Sequence, residues 1–328
     1  MNNNLSSNKH VPVLLNQSIK FLPKKNNLNV IDATFGGGGY SKLILKQNNV
    51  NHLLAIDRDP DVLSFFNLKN NKNFKLIEGK FSQIDLLVKN YMKKNNLKGF
   101  DAIFFDLGLS SNQLNDNKRG FSFDINGPLD MRMDKKGLSA YDLVNTFNEK
   151  DIADIIFKYG DEKFARKIAK NIVKERKEKL IRNTYELALI IKKSVKISRK
   201  NKFKKNPATK TFQALRIYVN DELNEIEIAL KKSEKLLLPG GRIIVVSFHS
   251  LEDRLVKEFF NHKSGKKWRS SRHYPEPSNT GKITLKIITK KAIKPDDSEI
   301  TTNNRSRSAK LRVAEKINNN LKANNYET

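Results

Sequence analysis

Four consecutive glycines, Gly36 to Gly39, separate the apolar run Val30-Ile31 from Tyr40-Ser41. An acid, Asp57, closes the next apolar run, His52-Leu53-Leu54-Ala55-Ile56. Glycines between a strand and a helix let the backbone approach a ligand closely. An acid ending the following strand accepts hydrogen bonds from ribose hydroxyls, so the pair suits a nucleoside-bearing cofactor on an open α/β sheet. The nicotinamide fingerprint requires a third Gly or Ala, and counting from Gly36 and Gly38 that place is taken by Ser41. No GxxxxGK[ST] phosphate loop occurs in the chain. A loop without a phosphate cradle suits S-adenosylmethionine, which carries no phosphate.

A second acid, Asp106, ends a later apolar run, Ala102-Ile103-Phe104-Phe105. At the carboxyl edge of a parallel sheet such a group faces the ligand crevice. A carboxylate there can contact the amino group of a cofactor, or accept hydrogen bonds from a substrate amine and stabilise its developing positive charge. The chain has no cysteine. That excludes disulfides, thiolate metal sites and cysteine nucleophiles. Methylation of a pyrimidine at carbon 5 commonly begins with attack by a cysteine, so the target atom of a methyltransferase here is a nitrogen or an oxygen. No metal site is expected. Ser110 and Ser111, His249 and the basic-aromatic stretch Trp268 to Tyr274 are further polar candidates. Arg119, Arg132 and Arg216 are candidates for phosphate contact or for salt bridges. Ser250-Leu251-Glu252-Asp253 has the spacing of a capping box that opens a helix at Ser250.

These residues need a scaffold. Residues 29–34, 52–57, 74–78 and 101–106 read as four short buried strands bounded by polar turns. Helices between them, one opening at Asp59-Pro60, imply parallel pairing. The rhythm breaks after Asp106 with a loop rich in Gly, Asp and Arg, to about residue 136. Helical patterns follow. Ile152, Ile155, Ile156 and Tyr159 mark one apolar face, and Phe164, Ile168 and Ile172 another. Leu187, Ile190, Ile191 and Val195 mark a third. Residues 158–210 hold 19 Lys or Arg against 5 Asp or Glu, a basic insert suited to nucleic acid. The α/β pattern resumes with one long helix over 209–236, a Pro239-Gly240-Gly241 turn and a buried strand to Phe248. A further strand is expected at 283–289. The expected organisation is therefore a first part of one domain at 1–135, a basic helical insert at 136–206, the second part at 207–316, and a disordered polar tail at 317–328.

Over the whole chain of 328 residues Lys plus Arg number 63 and Asp plus Glu 35, a net charge of +28. Such a surplus favours a polyanionic partner. The polar N-terminus lacks a signal-peptide core, and no apolar run approaches membrane-spanning length, so a soluble cytoplasmic protein without a membrane partner is expected.

Several longer stretches carry a resemblance. They are Asp32 to Ser41, Ala55-Ile56-Asp57-Arg58-Asp59-Pro60, Asp106-Leu107-Gly108-Leu109-Ser110-Ser111 and Gly127-Pro128-Leu129-Asp130-Met131-Arg132-Met133-Asp134. Later come Pro207 to Ile217, Val246-Ser247-Phe248-His249-Ser250-Leu251-Glu252-Asp253 and Arg307 to Arg312. In these the chain resembles the bacterial 16S ribosomal RNA cytosine-N4-methyltransferases of the RsmH (MraW) family, from residue 10 to about 316. The resemblance implies a seven-stranded class I S-adenosylmethionine-dependent methyltransferase sheet, Rossmann-like, with an inserted all-helical domain. It implies S-adenosylmethionine as methyl donor, and as substrate one cytosine (1402 in rRNA numbering) in the decoding region of 16S rRNA in the small ribosomal subunit. Cofactor contacts carry over to Gly38, Gly39, Tyr40, Asp57, Phe81, Asp106 and Gln113, and Asp106 is the catalytic candidate. The family usually has histidine where this chain has Tyr40. A backbone contact would survive that change and an imidazole contact would not. From the residues alone, a nicotinamide enzyme, a non-catalytic ribosome-binding factor and an N-methyltransferase of DNA or another RNA stay open. So does the oligomeric state, a homodimer included.

Overall fold

In the computed structural model, which describes residues 12–47, 49–65, 71–195, 206–266 and 283–318, the four expected strands form where the apolar runs lie. A short helix α1 (Leu15–Ile19) precedes β1 (Leu28–Asp32). Then follow α2 (Gly39–Leu45), β2 (Val50–Asp57), α3 (Pro60–Phe65), β3 (Phe74–Glu78), α4 (Ile84–Lys94) and β4 (Phe100–Asp106). Asp59 Oδ1 accepts the Asp61 N–H at 3.1 Å where α3 begins, and Pro60 takes the first helical position.

The contacts divide the chain into two units, residues 1–108 with 225–328, and residues 109–224. The first carries a seven-stranded sheet in the order β3-β2-β1-β4-β5-β7-β6, with β5 at Leu237–Ser247, β6 at Leu285–Ile287 and β7 at Lys310–Lys316. β1 to β5 pair in parallel, and β7 runs antiparallel to β5 and to β6. This is a seven-stranded sheet of the kind that the resemblance implies. Successive side chains alternate between its faces. Ile31, Leu54, Ile103 and Ile243 enter one apolar cluster, while Val30, Leu53, Ala102 and Ile244 enter the other. Burying each such Leu or Ile contributes about 1.5–3 kcal/mol. The chain order reverses at β1, whose neighbours are β2 and β4, so the carboxyl ends of these three strands form the crevice where open sheets bind ligands.

Three expectations for the second half are corrected. Pro239-Gly240-Gly241 does not precede the strand but lies inside it. Leu237 pairs with Phe100 and Arg242 with Ala102, so the chain bulges between them, with Gly240 at φ 78. The expected single helix over 209–236 is two helices, α10 (Ala208–Asn220) and α11 (Glu222–Leu236), with α12 (Ser250–Lys263) following β5. Asp221, left-handed at φ 50, ends α10. The predicted strand at 283–289 shortens to β6. β7 appears where no strand is read from the sequence, with Leu311, Val313 and Ala314 buried and Arg312 between. A short helix α13 (Asp297–Thr302) lies between β6 and β7.

The second unit is helical and has its own core. Its helices are α5 (Ser111–Asn115), α6 (Ala140–Thr146), α7 (Glu149–Gly160), α8 (Ala165–Glu178), α9 (Thr184–Ser194) and α10. The expected apolar faces are the buried ones, except that Phe164 is 41% exposed at the start of α8. The unit reaches beyond the expected 136–206 at both ends. Phe121, Leu129, Met131 and Met133 pack into the same cluster as the helices, and so do Ala208, Phe212 and Leu215 of α10. Buried Asn220 holds the irregular segment down: its amide donates to the Met131 carbonyl at 2.7 Å and accepts from Met133 N at 2.8 Å. α8 turns Arg166, Lys167, Lys170, Lys174 and Lys177 to solvent.

Candidate active site

The rim of the sheet is built from strand ends. At the end of β1 the buried Asp32 accepts Ser41 Oγ at 2.6 Å and Thr34 N at 3.3 Å. Burial raises its carboxyl from 3.8 to about 6, against the lowering by these two donors. The loop then turns through two left-handed glycines, Gly36 (φ 51) and Gly38 (φ 72). No side chain could take these angles without strain. A Cβ placed on Gly37 would meet nothing within 4 Å, so the loop faces open space there. Gly39 is different, because a Cβ on it would lie 2.1 Å from Pro12 Cγ. The segment Pro12–Leu14 thus packs directly on the loop, tied by Tyr40 Oη donating to the Val13 carbonyl at 2.7 Å and by Leu14 N donating to Glu299 Oε1 at 2.7 Å.

Asp57, half-buried at the end of β2, accepts Gly36 N on one carboxylate oxygen at 2.7 Å and Asp59 N on the other at 2.9 Å. A carboxylate offers about four lone-pair positions, so two acceptor positions remain. Burial raises this carboxyl to about 6, opposed by the Asp59 and Gly36 amides. Phe81 opens a single 3-10 turn after β3 and sets its ring edge-to-face on Phe105, centroids 5.9 Å apart. Tyr40 does not reach the rim with its side chain. The ring is buried beside Phe104, and the hydroxyl is used on Val13 and, at 3.4 Å, on Ser18. Any cofactor contact from this position therefore has to come from its backbone.

Asp106 ends β4 half-buried. Its N–H donates to Thr34 Oγ1 at 2.6 Å, but its buried Oδ1 has no hydrogen-bond partner among the described residues. Burial first, then the negative charges of Asp32 and Glu252, hold this carboxyl well above the usual carboxylate range. Glu252 is fully buried and accepts Phe248 N at 2.7 Å and His249 N at 3.2 Å. The helix cap expected at Ser250 is corrected here. His249 is the N-cap of α12: its Nδ1 faces the Glu252 N–H at 3.4 Å, and its Nε2 lies 3.0 Å from Glu252 Oε1. His249 thereby acquires a structural task.

The structure therefore gathers the loop glycines, Asp57 and Asp106 with Phe81 in the first unit, and adds Asp32, Thr34 and Glu252, which were not singled out. One signal for Asp32 was available, an acid interrupting the apolar run Val30-Ile31-Asp32-Ala33. In the second unit, Gln113 is buried and forms a capping box with Ser110, accepting Ser110 N at 3.1 Å and donating its own N–H to Ser110 Oγ at 3.2 Å. The three arginines are engaged in structure. Arg119 is buried and donates to the Arg132 and Met133 carbonyls at 3.0 and 2.8 Å. Arg132 pairs with Asp130 at 2.6 Å, and Arg216 grips Glu222 with two bonds of 2.7 Å. The stretch Trp268–Tyr274 lies outside the described residues. No helix among the described residues is long and apolar enough to cross a membrane.

The donor set fits a nucleoside cofactor with a positively charged end. Asp57 keeps spare acceptors for hydroxyls, a Cβ on Gly37 would meet open space, and Asp106 Oδ1 has no hydrogen-bond partner among the described residues. Residues 7–317 match the model of the MraW methylase family. A relative from Rickettsia bellii, named ribosomal RNA small subunit methyltransferase H, is 48% identical over 94% of this chain and 99% of its own. One of the same name from Paramagnetospirillum magneticum is 44% identical over 94% of this chain and 96% of its own. A solved putative methyltransferase from Streptococcus mutans, in complex with SAH, overlays with a TM-score of 0.41 at 14% identity, covering 94% of this chain and 99% of that one. The chain belongs to the MraW methylase family.

Proposed function

We propose that the protein methylates the exocyclic N4 of a single cytosine, position 1402 in rRNA numbering, in the decoding region of 16S rRNA on the small ribosomal subunit in the cytoplasm. The observation that carries the reading is the end-to-end match to relatives named for small-subunit rRNA methylation, 48% identical over 94% of the chain, combined with an acid at the end of β4 whose buried Oδ1 has no hydrogen-bond partner among the described residues. The absence of cysteine supports nitrogen over ring carbon as the target.

S-adenosylmethionine supplies an activated methyl group. The remaining work belongs to the chain. Asp57 takes the ribose hydroxyls, the backbone of Gly38, Gly39 and Tyr40 approaches the cofactor, and Phe81 offers an aromatic surface to the adenine. Asp106 accepts hydrogen bonds from the cytosine amine. That amine is a poor nucleophile because its lone pair is delocalised into the ring. A carboxylate acceptor draws it toward tetrahedral geometry and stabilises the positive charge that develops on it. Holding the reactants in line supplies up to about 7–11 kcal/mol in well-oriented systems. The target base leaves its stack to reach this rim, which costs a few kcal/mol in a duplex and less in irregular RNA. The exposed bases of α8 hold the flanking RNA backbone, so rRNA binding weakens steeply with added salt.

The test is nucleoside mass mapping of small subunits from a strain lacking the gene, before and after incubation with the protein and S-adenosylmethionine. The expected result is the return of one N4-methylcytidine. Methylation of a different nucleoside, or of none, overturns the assignment.

A further inference from the structure

Asp106 is surrounded by negative charge. The groups whose charges bear on it are Asp32 at the end of neighbouring β1 and Glu252 on α12. The Tyr40 hydroxyl of α2, kept neutral first by burial, also feels the charge of Asp106. His249 stands beside Glu252, its Nε2 lying 3.0 Å from Oε1 of that carboxylate. On the other side, β5 places Val246 opposite Asp106 and contributes no titratable group there. Oδ1 is buried and unpartnered among the described residues. A carboxyl so placed is stabilised either by a proton or by a cation brought to it.

S-adenosylmethionine carries such a cation on sulfur, and S-adenosylhomocysteine does not. The two are otherwise alike in the groups they offer a protein. The geometry points to Asp106 as the residue that tells the charged cofactor from its spent form. It carries a proton while no positive charge faces it, releases that proton to solvent when S-adenosylmethionine binds, and keeps it when S-adenosylhomocysteine binds. The inference rests on the cofactor reading above and extends it to the order of events. Methyl transfer forms the N4–CH3 bond and breaks the C–S bond, leaving its electron pair on sulfur, while N4 must shed one proton. Loss of the charge on sulfur makes the Asp106 carboxylate a stronger base at the moment that proton needs an acceptor. Asp106 Oδ1 takes it, and the reprotonated site then favours release of the neutral product.

The experiment is calorimetric titration of the full chain with S-adenosylmethionine and, separately, with S-adenosylhomocysteine, near pH 7 in two buffers of different ionisation enthalpy. The buffer dependence of the heat counts protons released. The expected result is a greater release with S-adenosylmethionine, and a ratio of the two affinities that climbs with pH by up to about tenfold per unit where one whole proton is exchanged. Asp106→Asn should make the two counts equal. Asp57→Asn should weaken both ligands alike and leave the difference in place. Equal counts in the unaltered protein overturn the inference, and so does a difference that survives Asp106→Asn. The unaltered protein decides alone if a variant fails to fold, as a thermal melt would show. If neither ligand binds at all, it is the cofactor reading that falls, a distinguishable outcome.

Discussion

At the end of β2, Asp57 accepts two backbone N–H groups, from Gly36 at 2.7 Å and Asp59 at 2.9 Å; at the end of β4, the buried Oδ1 of Asp106 accepts none among the described residues. Both carboxyls are raised, and for both burial is the largest cause, but the second cause differs. The amides pull Asp57 back to about 6, whereas further negative charge from Asp32 and Glu252 pushes Asp106 higher. The first acid is held in a fixed orientation before any ligand arrives, as a receptor for neutral hydroxyls should be. The second is left unsatisfied, as suits a group whose partner is a charge that comes and goes with the reaction.

The sharpest way to break this contrast is Asp106→Asn. Turnover should fall about 10²–10³-fold, as when one preorganised charge-stabilising group is lost. The dissociation constant for S-adenosylmethionine should move much less. A loss of affinity as large as the loss of turnover would make Asp106 a second binding acid like Asp57. The same variant should melt higher than the unaltered protein at pH 8 and differ little at pH 4. The native carboxyl lies well above 3.8, so its favourable contribution is present when protonated and is lost as pH rises.

Asp57→Ala should weaken S-adenosylmethionine and S-adenosylhomocysteine equally, about 10–100-fold, the loss expected for hydrogen bonds to a charged group. Acid should act on the unaltered site in two directions. Asp57 and Asp32 both lie near 6 in the fold against 3.8 ordinarily, so the ligand-free protein should gain stability as pH falls from 7.5 to about 5. Cofactor affinity should fall over the same range as Asp57 loses its charge. Thermal melts and calorimetry on one pH series measure both trends, and parallel trends would contradict the assignment of Asp57.

Smaller effects come from the loop beneath. Gly39→Ala forces a Cβ to within 2.1 Å of Pro12 and should destabilise the fold by about 1–3 kcal/mol in chemical denaturation, with weaker cofactor binding. Tyr40→Phe removes one buried hydrogen bond to Val13 and should lower stability by about 1 kcal/mol while leaving cofactor affinity within about twofold. A large loss of affinity would mean that the hydroxyl serves the rim as well as the core.

Much of this rim was legible in the residues alone. Strands β1 to β4 announce themselves as short apolar runs, and an acid that ends such a run is conspicuous, so Asp57 and Asp106 follow directly from pattern. Directions of side chains do not. Tyr40 adjoins the glycines in sequence, yet its first-turn place in α2 points the ring into the core beside Phe104. His249 was displaced from its task by one residue, because Ser250 and Glu252-Asp253 look like the commoner cap while the imidazole does the capping. The break at Asp221 was hidden because no glycine or proline marks it. Its cause is tertiary, in that Asn220 is tied to Met131 and Met133 far away in the chain. β7 was hidden by its lysines and arginines. Lys310 and Arg312 are held by Asp253 of α12 at 2.7 and 2.6 Å, which lets a charged segment pair with β5 inside the sheet. The second unit extends past the periodic helices because Phe121, Leu129, Met131 and Met133 pack without helical spacing.

The account stands most directly on where the cofactor lies. A crystal of the protein grown with S-adenosylmethionine should show the ribose hydroxyls on the Asp57 carboxylate, the backbone of Gly38 and Gly39 against the ligand, and the sulfonium end toward Asp106. Density for the ligand away from the ends of β1, β2 and β4, or a ribose held by some other group with Asp57 uninvolved, would contradict it.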